Sequence, residues 1–362
     1  MVKDARITQA SRPEDQVDLA ARVSARHVRT ISRCISRIEN GDPSVQPLLN
    51  VMSARSGNAL VVGVTGVPGS GKSTLVPALA RAWASRGVPV AILAVDPSSP
   101  LTGGAILGDR IRDTALGETD IFFRSLGSRG SNSGLARALF DVVELLDGAG
   151  YKLILIETVG TGQSEISVTK LAHTTLLLTA PGLGDEIQAM KSGILEVADM
   201  VIVNKADADP TGATATALTL RLSLAEATRA HGLKEGVNTD SDGVQTAWHP
   251  PVRKISALGG EGVHELVDLI SQHRGFLEAS RKLLAWRGQR RIERFEEGMR
   301  DALFRVFAER NGDILDTIRG AVAEGSLSPL RAAEEAARAG IREQNSEVST
   351  GGRHETQNGT RT

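Results

Sequence analysis

The chain has 362 residues, with 42 lysines and arginines against 43 aspartates and glutamates, a formal net charge of −1, and 41% hydrophobic but only 3% aromatic residues. That length and apolar content can fill two domains, or one large domain with appendages. Balanced charge leaves no global field for DNA, RNA or an anionic membrane, few rings argue against base-stacking surfaces, and Cys34, the only cysteine, excludes a disulfide framework and a Cys-rich metal site.

The first residues lead into a charged segment without the apolar core of a signal peptide, and no run of 18 apolar residues follows. The expectation is a soluble, cytoplasmic protein. Ser11-Arg12-Pro13-Glu14 has the form of a capping box, and apolar residues then recur at Val17, Ala20, Val23, Val28, Ile31, Ile35 and Ile38 until Gly41-Asp42-Pro43. This predicts one helical run, with Cys34 as a packed thiol and His27 as a surface imidazole. Residues 1–55 read as an N-terminal helical extension.

An apolar run at residues 60–65 leads into Gly66-Val67-Pro68-Gly69-Ser70-Gly71-Lys72-Ser73-Thr74 and then a helical pattern. This fits G-x-x-x-x-G-K-S/T with the strand before and the helix after that the motif needs. Glycines let successive N–H groups turn inward on a polyphosphate, and the helix start adds its positive dipole end. Lys72 is placed to reach the β- and γ-phosphates and the Ser73 hydroxyl to ligate Mg²⁺. Residues 89–95 then predict a buried strand ending at Asp96-Pro97, which puts a carboxylate where α/β sheets bind ligands. The Gly-rich stretch 102–110 reads as a mobile phosphate-side loop carrying Asp109.

A short strand at 121–125, a flexible loop at 127–134 and a helix from Leu135 to Gly148 follow. Residues 152–160 form an apolar strand ending in Glu157-Thr158-Val159-Gly160. Nucleotide switches need a Mg²⁺-side carboxylate here and a glycine N–H that can meet the γ-phosphate. Glu in place of the commoner Asp has a longer reach for the same role. A buried strand at 174–179 precedes a helix from about Ile187 to Val197, on which Gln188 and Lys191 lie off the apolar face and could reach the nucleotide or a partner. The strand 200–203 runs into Asn204-Lys205-Ala206-Asp207. This N-K-x-D tetrad selects guanine: Asp207 accepts from N1–H and the 2-amino group, Asn204 braces the loop against the base, and Lys205 lies along its plane.

Residues 232–251 read as an exposed connection. The strand 252–258 ends in Ser256-Ala257, where a backbone N–H can meet guanine O6, and a helix from Gly262 to Ile270 closes the domain. Residues 276–310 are helix-forming, amphipathic and charged. Arg287, Arg290, Arg291 and Arg294, interleaved with glutamates, suit a solvated or inter-subunit face better than a nucleic-acid site. Residues 344–362 read as a disordered tail.

Taken together these motifs resemble the MeaB/ArgK-type GTPases, a branch of the P-loop GTPases. The resemblance rests on the P-loop, Asp96-Pro97-Ser98-Ser99 with Thr102-Gly103-Gly104 and Gly108-Asp109, Glu157-Thr158-Val159-Gly160 with Gly162-Gln163-Ser164-Glu165, Pro181-Gly182-Leu183-Gly184-Asp185, Asn204-Lys205-Ala206-Asp207, Pro250-Pro251-Val252 and Ser256-Ala257. It implies GTP·Mg²⁺ on the P-loop and Asp96, Asp109 and Glu157 around the metal and switch loops. It also implies a homodimer built by helical extensions, and a chaperone for methylmalonyl-CoA mutase or a related adenosylcobalamin-dependent acyl-CoA mutase. The 232–250 connection and the tail depart from the family pattern. A P-loop kinase or transport ATPase would need an adenine pocket or a phosphoacceptor site, and a metal-delivery GTPase would need Cys and His ligands.

The expected architecture is therefore α/β: a P-loop nucleotide-binding domain at 56–275, with a mostly parallel sheet and helices on both faces. An N-terminal extension at 1–55, a helical dimerisation arm at 276–343 and the tail complete it. GTP/GDP and Mg²⁺ are the expected ligands, and an acyl-CoA mutase is the expected partner.

Overall fold

The computed structural model describes residues 13–96, 120–127, 132–158, 168–183, 195–230 and 247–339. Seven strands, β1 (Leu60–Gly66), β2 (Val90–Asp96), β3 (Ile121–Gly127), β4 (Leu153–Thr158), β5 (Thr174–Thr179), β6 (Met200–Val203) and β7 (Val252–Lys254), form one sheet. Its order is β3-β2-β4-β1-β5-β6-β7, and every pairing is parallel. The strands after β1 fill one side of it, β2, β3 and β4, before the chain crosses to β5 on the other. The reversal opens a crevice at the carboxyl end of β1, where open α/β sheets take ligands.

Alternate strand residues feed two faces. Val61, Leu93, Ile154 and Ile156 pack under α1 (Pro13–Ser24), α2 (Val28–Glu39), α3 (Gln46–Ser53) and α5 (Asn132–Gly148), through Ile31, Ile35, Met52 and Leu145 among others. Val62, Val64, Ile92, Leu155 and Leu176 meet Leu75 and Leu79 of α4 (Lys72–Ala84) and Leu266 and Ile270 of α7 (Val263–Ala279). Beyond β5, Leu177, Val201 and Val203 are covered by Ala213, Ala217 and Leu220 of α6 (Pro210–Ala230). Each such aliphatic side chain contributes about 1.5–3 kcal/mol on burial.

The expected parallel sheet with helices on both faces is what the chain forms, and the strands at 174–179 and 200–203 fall where expected. Several elements differ. The single N-terminal run is two helices, separated at Ala25–His27, because the apolar phase jumps by five residues between Val23 and Val28. Arg26 takes φ 56° at the break, and His27 caps α2 by accepting the Thr30 N–H at its Nδ1. The thiol of Cys34 is buried, as its place on the apolar stripe requires. Helix α3 and helix α6 were not anticipated: α3 is short, and the many Thr and Ala residues of α6 give only a faint apolar stripe. β7 spans three residues rather than seven, α5 begins at Asn132 inside the expected loop, and α7 continues to Ala279.

The expected helix at 187–197 and the expected tail lie almost wholly outside the described residues; residues 195–197 form a turn. Two compact units divide the chain, Met1–Leu284 and Ala285–Thr362. The helix α8 (Lys282–Arg310) begins after Arg281, whose φ of 56° breaks the expected continuous run. Within the second unit, the rest of α8, α9 (Gly312–Ala323) and a helix at 329–339 surround an apolar groove of about 780 Å³. Among the described residues, no helix is long and apolar enough to cross a membrane.

Candidate functional site

Between the end of β1 and the start of α4 the chain folds into a tight loop. Gly71, which caps α4, has φ 96°, and a Cβ there would strike Nδ2 of Asn204. Gly66 has φ 138°, and a Cβ there would strike the backbone of Leu178 in β5. Left-handed or crowded backbone of this kind admits glycine and little else. Ser70 is fully buried and closes the loop by donating both its Oγ–H (2.7 Å) and its N–H (3.2 Å) to the Val67 carbonyl.

Lys72 is only 6% exposed, and its Nζ donates to the carbonyls of Gly66 at 2.6 Å and Val67 at 3.0 Å. A buried ammonium must be compensated, and here carbonyl oxygens do so. They can release it to phosphate oxygens, which are charged and therefore stronger acceptors. Pro68, Gly69, Ser73 and Thr74 are exposed, as the open side of such a cradle must be.

Two strands bring acids to the same end of the sheet. Glu157 lies in β4 in register with Val64 of β1 and Ala94 of β2, and is buried. Asp96 ends β2, directly after Val95, which pairs with Thr158. The Thr158 hydroxyl ties β4 to β1, 3.4 Å from Thr65 Oγ1 and 3.5 Å from the Val64 carbonyl. One hydroxyl, Ser73, and carboxylates make a hard, all-oxygen donor set that fits Mg²⁺. Among the described residues no three His, Cys, Asp or Glu side chains converge. A Mg²⁺ ion here would complete its shell with phosphate oxygens and water, as this metal commonly does.

On the other side of the loop, Asn204 follows β6 and is buried. Its Nδ2 donates to the Ser70 carbonyl at 2.9 Å, and its Oδ1 accepts the Ala257 N–H at 2.9 Å. The tetrad pattern has Asn204 bracing its own loop against a base; the structure has it joining the P-loop to the Ser256-Ala257 loop, with the Ala257 N–H turned to Asn204. Ser256 is buried, accepts the Gly259 N–H at its Oγ (3.0 Å), and donates its own N–H to the Glu261 carbonyl. Lys205 takes φ 59°, a left-handed conformation costly for a non-glycine residue, and it and Asp207 are both exposed. Leu258, 87% exposed, directly follows Ser256-Ala257, and no sequence signal singled it out.

Lys72, Ser73, Glu157, Asn204 and the backbone ends at Asp96 and Ser256-Ala257 thus gather at the carboxyl end of the sheet, around β1. Asp109, Gly160, Gln188 and Lys191 lie outside the described residues. A phosphate-cradling loop at a sheet reversal, with an N-K-x-D tetrad tied to it, defines a P-loop nucleoside triphosphatase.

Residues 31–311 match the family described as Methylmalonyl Co-A mutase-associated GTPase MeaB, and the chain belongs to that family. It is 37% identical over 334 residues to the probable GTPase Rv1496 of Mycobacterium tuberculosis, covering 90% of this chain and 96% of that one. It is 35% identical over 269 residues to GTPase ArgK of Escherichia coli, covering 73% and 77%. A solved structure described as LAO/AO transport system kinase aligns over 94% of this chain and 99% of that one, with a TM-score of 0.61 and 25% identity. The enzyme is a GTPase, producing GDP and phosphate.

Proposed function

We propose that this chain is a GTP-operated chaperone that gates adenosylcobalamin loading and protection of methylmalonyl-CoA mutase or a related acyl-CoA mutase. The observation that carries the reading is the match of residues 31–311 to a family described by association with that mutase. The site supports it chemically. Lys72 leaves the Gly66 and Val67 carbonyls for the β- and γ-phosphates, while Gly66, Pro68, Gly69, Ser70, Gly71 and Thr74 line the cradle. Ser73, Asp96, Asp109 and Glu157 would hold Mg²⁺, which neutralises charge on the phosphates. Asp207 reads the guanine edge, with Lys205 along the base and the 256–257 loop beside it. The Gly160 N–H answers the γ-phosphate, and Gln188 and Lys191 link that region to the mutase surface.

A slow switch does useful work only where a second protein reads its state. Binding linkage is reciprocal: a mutase that prefers the GTP form is itself bound tighter in GTP by the same factor. On this reading the protein works in the cytoplasm, as a homodimer through its C-terminal helical arm at 276–343. Phe295, Leu303 and Phe304, all more than half exposed, and the groove beside the last two, favour a second copy there.

The test is cofactor transfer. Mutase mixed with this protein should take up adenosylcobalamin at different rates in GTP and in GDP. Equal rates, together with equal mutase binding in the two nucleotides, would remove the chaperone reading. A transport-system kinase, as the solved relative is described, is the second reading. It requires phosphate transfer from the nucleotide to a protein acceptor, which radiolabelled GTP would reveal.

A further inference from the structure

Among the described residues β3 is one of the two outer strands of the sheet, and its outward N–H groups meet no neighbouring strand there. At its carboxyl end a side chain takes that place. Glu39, the last residue of α2, accepts the Gly127 N–H at Oε1 (3.3 Å) and the Arg124 Nη2–H at Oε2 (2.8 Å). The same Nη2 donates to Ser36 Oγ at 3.0 Å. The Glu39 side chain is 6% exposed and that of Arg124 29%. A carboxylate this buried is tolerated only when its charge is compensated, and it is compensated twice.

Fixing α2 to the sheet needs only the ion pair to Arg124, three residues back from the strand end. The bond to Gly127 does something more local. Gly127 is the register partner of Asp96, and Val95, one step earlier, lies between Leu126 and Thr158. The carboxyl ends of β3, β2 and β4 therefore form one row leading to the acids. Glu39 holds its outer end.

We propose that Glu39 is a positioning residue for Asp96: by clamping Gly127, the N-terminal helical layer sets where the end of β2 presents its acid to Mg²⁺·GTP. This rests on the reading of Asp96 as a metal-side acid. A small displacement of a reacting-site group is enough to alter turnover severalfold.

The full-length protein is assayed as wild type, Glu39→Ala, Glu39→Asp and Asp96→Asn. Three quantities are read: the Mg²⁺ concentration giving half-maximal GTP hydrolysis, GTP affinity in EDTA, and Tm. Glu39→Ala should raise the Mg²⁺ midpoint on the order of three- to tenfold, with GTP affinity in EDTA unchanged. Glu39→Asp keeps the charge but, one methylene shorter, cannot hold both partners; it should give a smaller shift and carries the test if Glu39→Ala does not fold. A native Mg²⁺ midpoint in the folded Glu39 variants, whether or not Tm and GTP affinity fall, makes Glu39 a plain strut and overturns the proposal. If Asp96→Asn itself leaves the midpoint unchanged, the metal-side reading of Asp96 fails instead.

Discussion

Asn204 is the residue on which two loops meet. Its amide satisfies the Ser70 carbonyl and the Ala257 N–H, both in places a base or phosphate would approach. Replacing it with Ala leaves both buried groups without that partner, at about 1–3 kcal/mol each. Asn204→Ala should therefore lower Tm and weaken GTP binding together; a native Tm with native affinity would show that the bridge carries neither. Asp207 is different: it is exposed, and on the proposed reading its work is selection of the base. Asp207→Asn removes charge-assisted bonds to guanine totalling roughly 3–6 kcal/mol and creates a donor for the 2-oxo group of xanthine. Competition binding should then place xanthosine triphosphate above GTP, and an unchanged order would mean that another residue reads the base. The identities of these residues were legible in the sequence because short motifs fix spacing. Their bonds were not, since Asn204 reaches Ser70 across 134 positions and no local pattern encodes that partner.

At the scale of elements, the sheet was legible because strands buried on both faces read as unbroken apolar runs. The N-terminal helices were blurred because two amphipathic stripes in sequence look like one until their phase is checked. The connection expected at 232–251 is described only from residue 247, where it is half-buried and makes a contact that no sequence pattern signalled. Trp248 packs on His273 of α7 at 4.6 Å between ring centroids and donates its Nε1–H to the Asp199 carbonyl. His273 is 1% exposed, with Nδ1 2.9 Å from Thr174 Oγ1 and Nε2 3.4 Å from Asp199 Oδ1.

Burial, and then the charge of Lys282, hold the His273 imidazole down to about 4, against an ordinary 6.5. The unfolded chain therefore binds this proton first. Stability is fully present above about pH 6.5 and is lost as pH falls towards about 4, by up to about 3 kcal/mol. Asp199, pushed up to about 6 by burial, acts in the opposite sense: its contribution is present below an ordinary 3.8 and lost as pH rises through about 6. Its side chain keeps 31% of its surface exposed, so its share is the smaller. The His273→Gln variant should show a shallower fall in Tm from pH 6.5 to 4 than the wild type. The same slope in both would assign the acid sensitivity elsewhere.

For the whole molecule, the GTPase unit and the unit from Ala285 onward pose separate questions. Sedimentation at micromolar concentration should give a dimer, and Phe304→Glu, placing a charge in the apolar groove, should shift it towards monomer. A monomeric wild type would contradict the assembly. The proposed partner comes only from resemblance, because nothing in composition or periodicity encodes which protein reads a switch loop. The most direct measurement is GTP turnover by this protein with and without an adenosylcobalamin-dependent acyl-CoA mutase, at saturating GTP and Mg²⁺. Slow hydrolysis alone and a clear, saturable acceleration by the mutase are predicted. Fast hydrolysis alone, or a rate indifferent to the mutase at every concentration, would contradict the account.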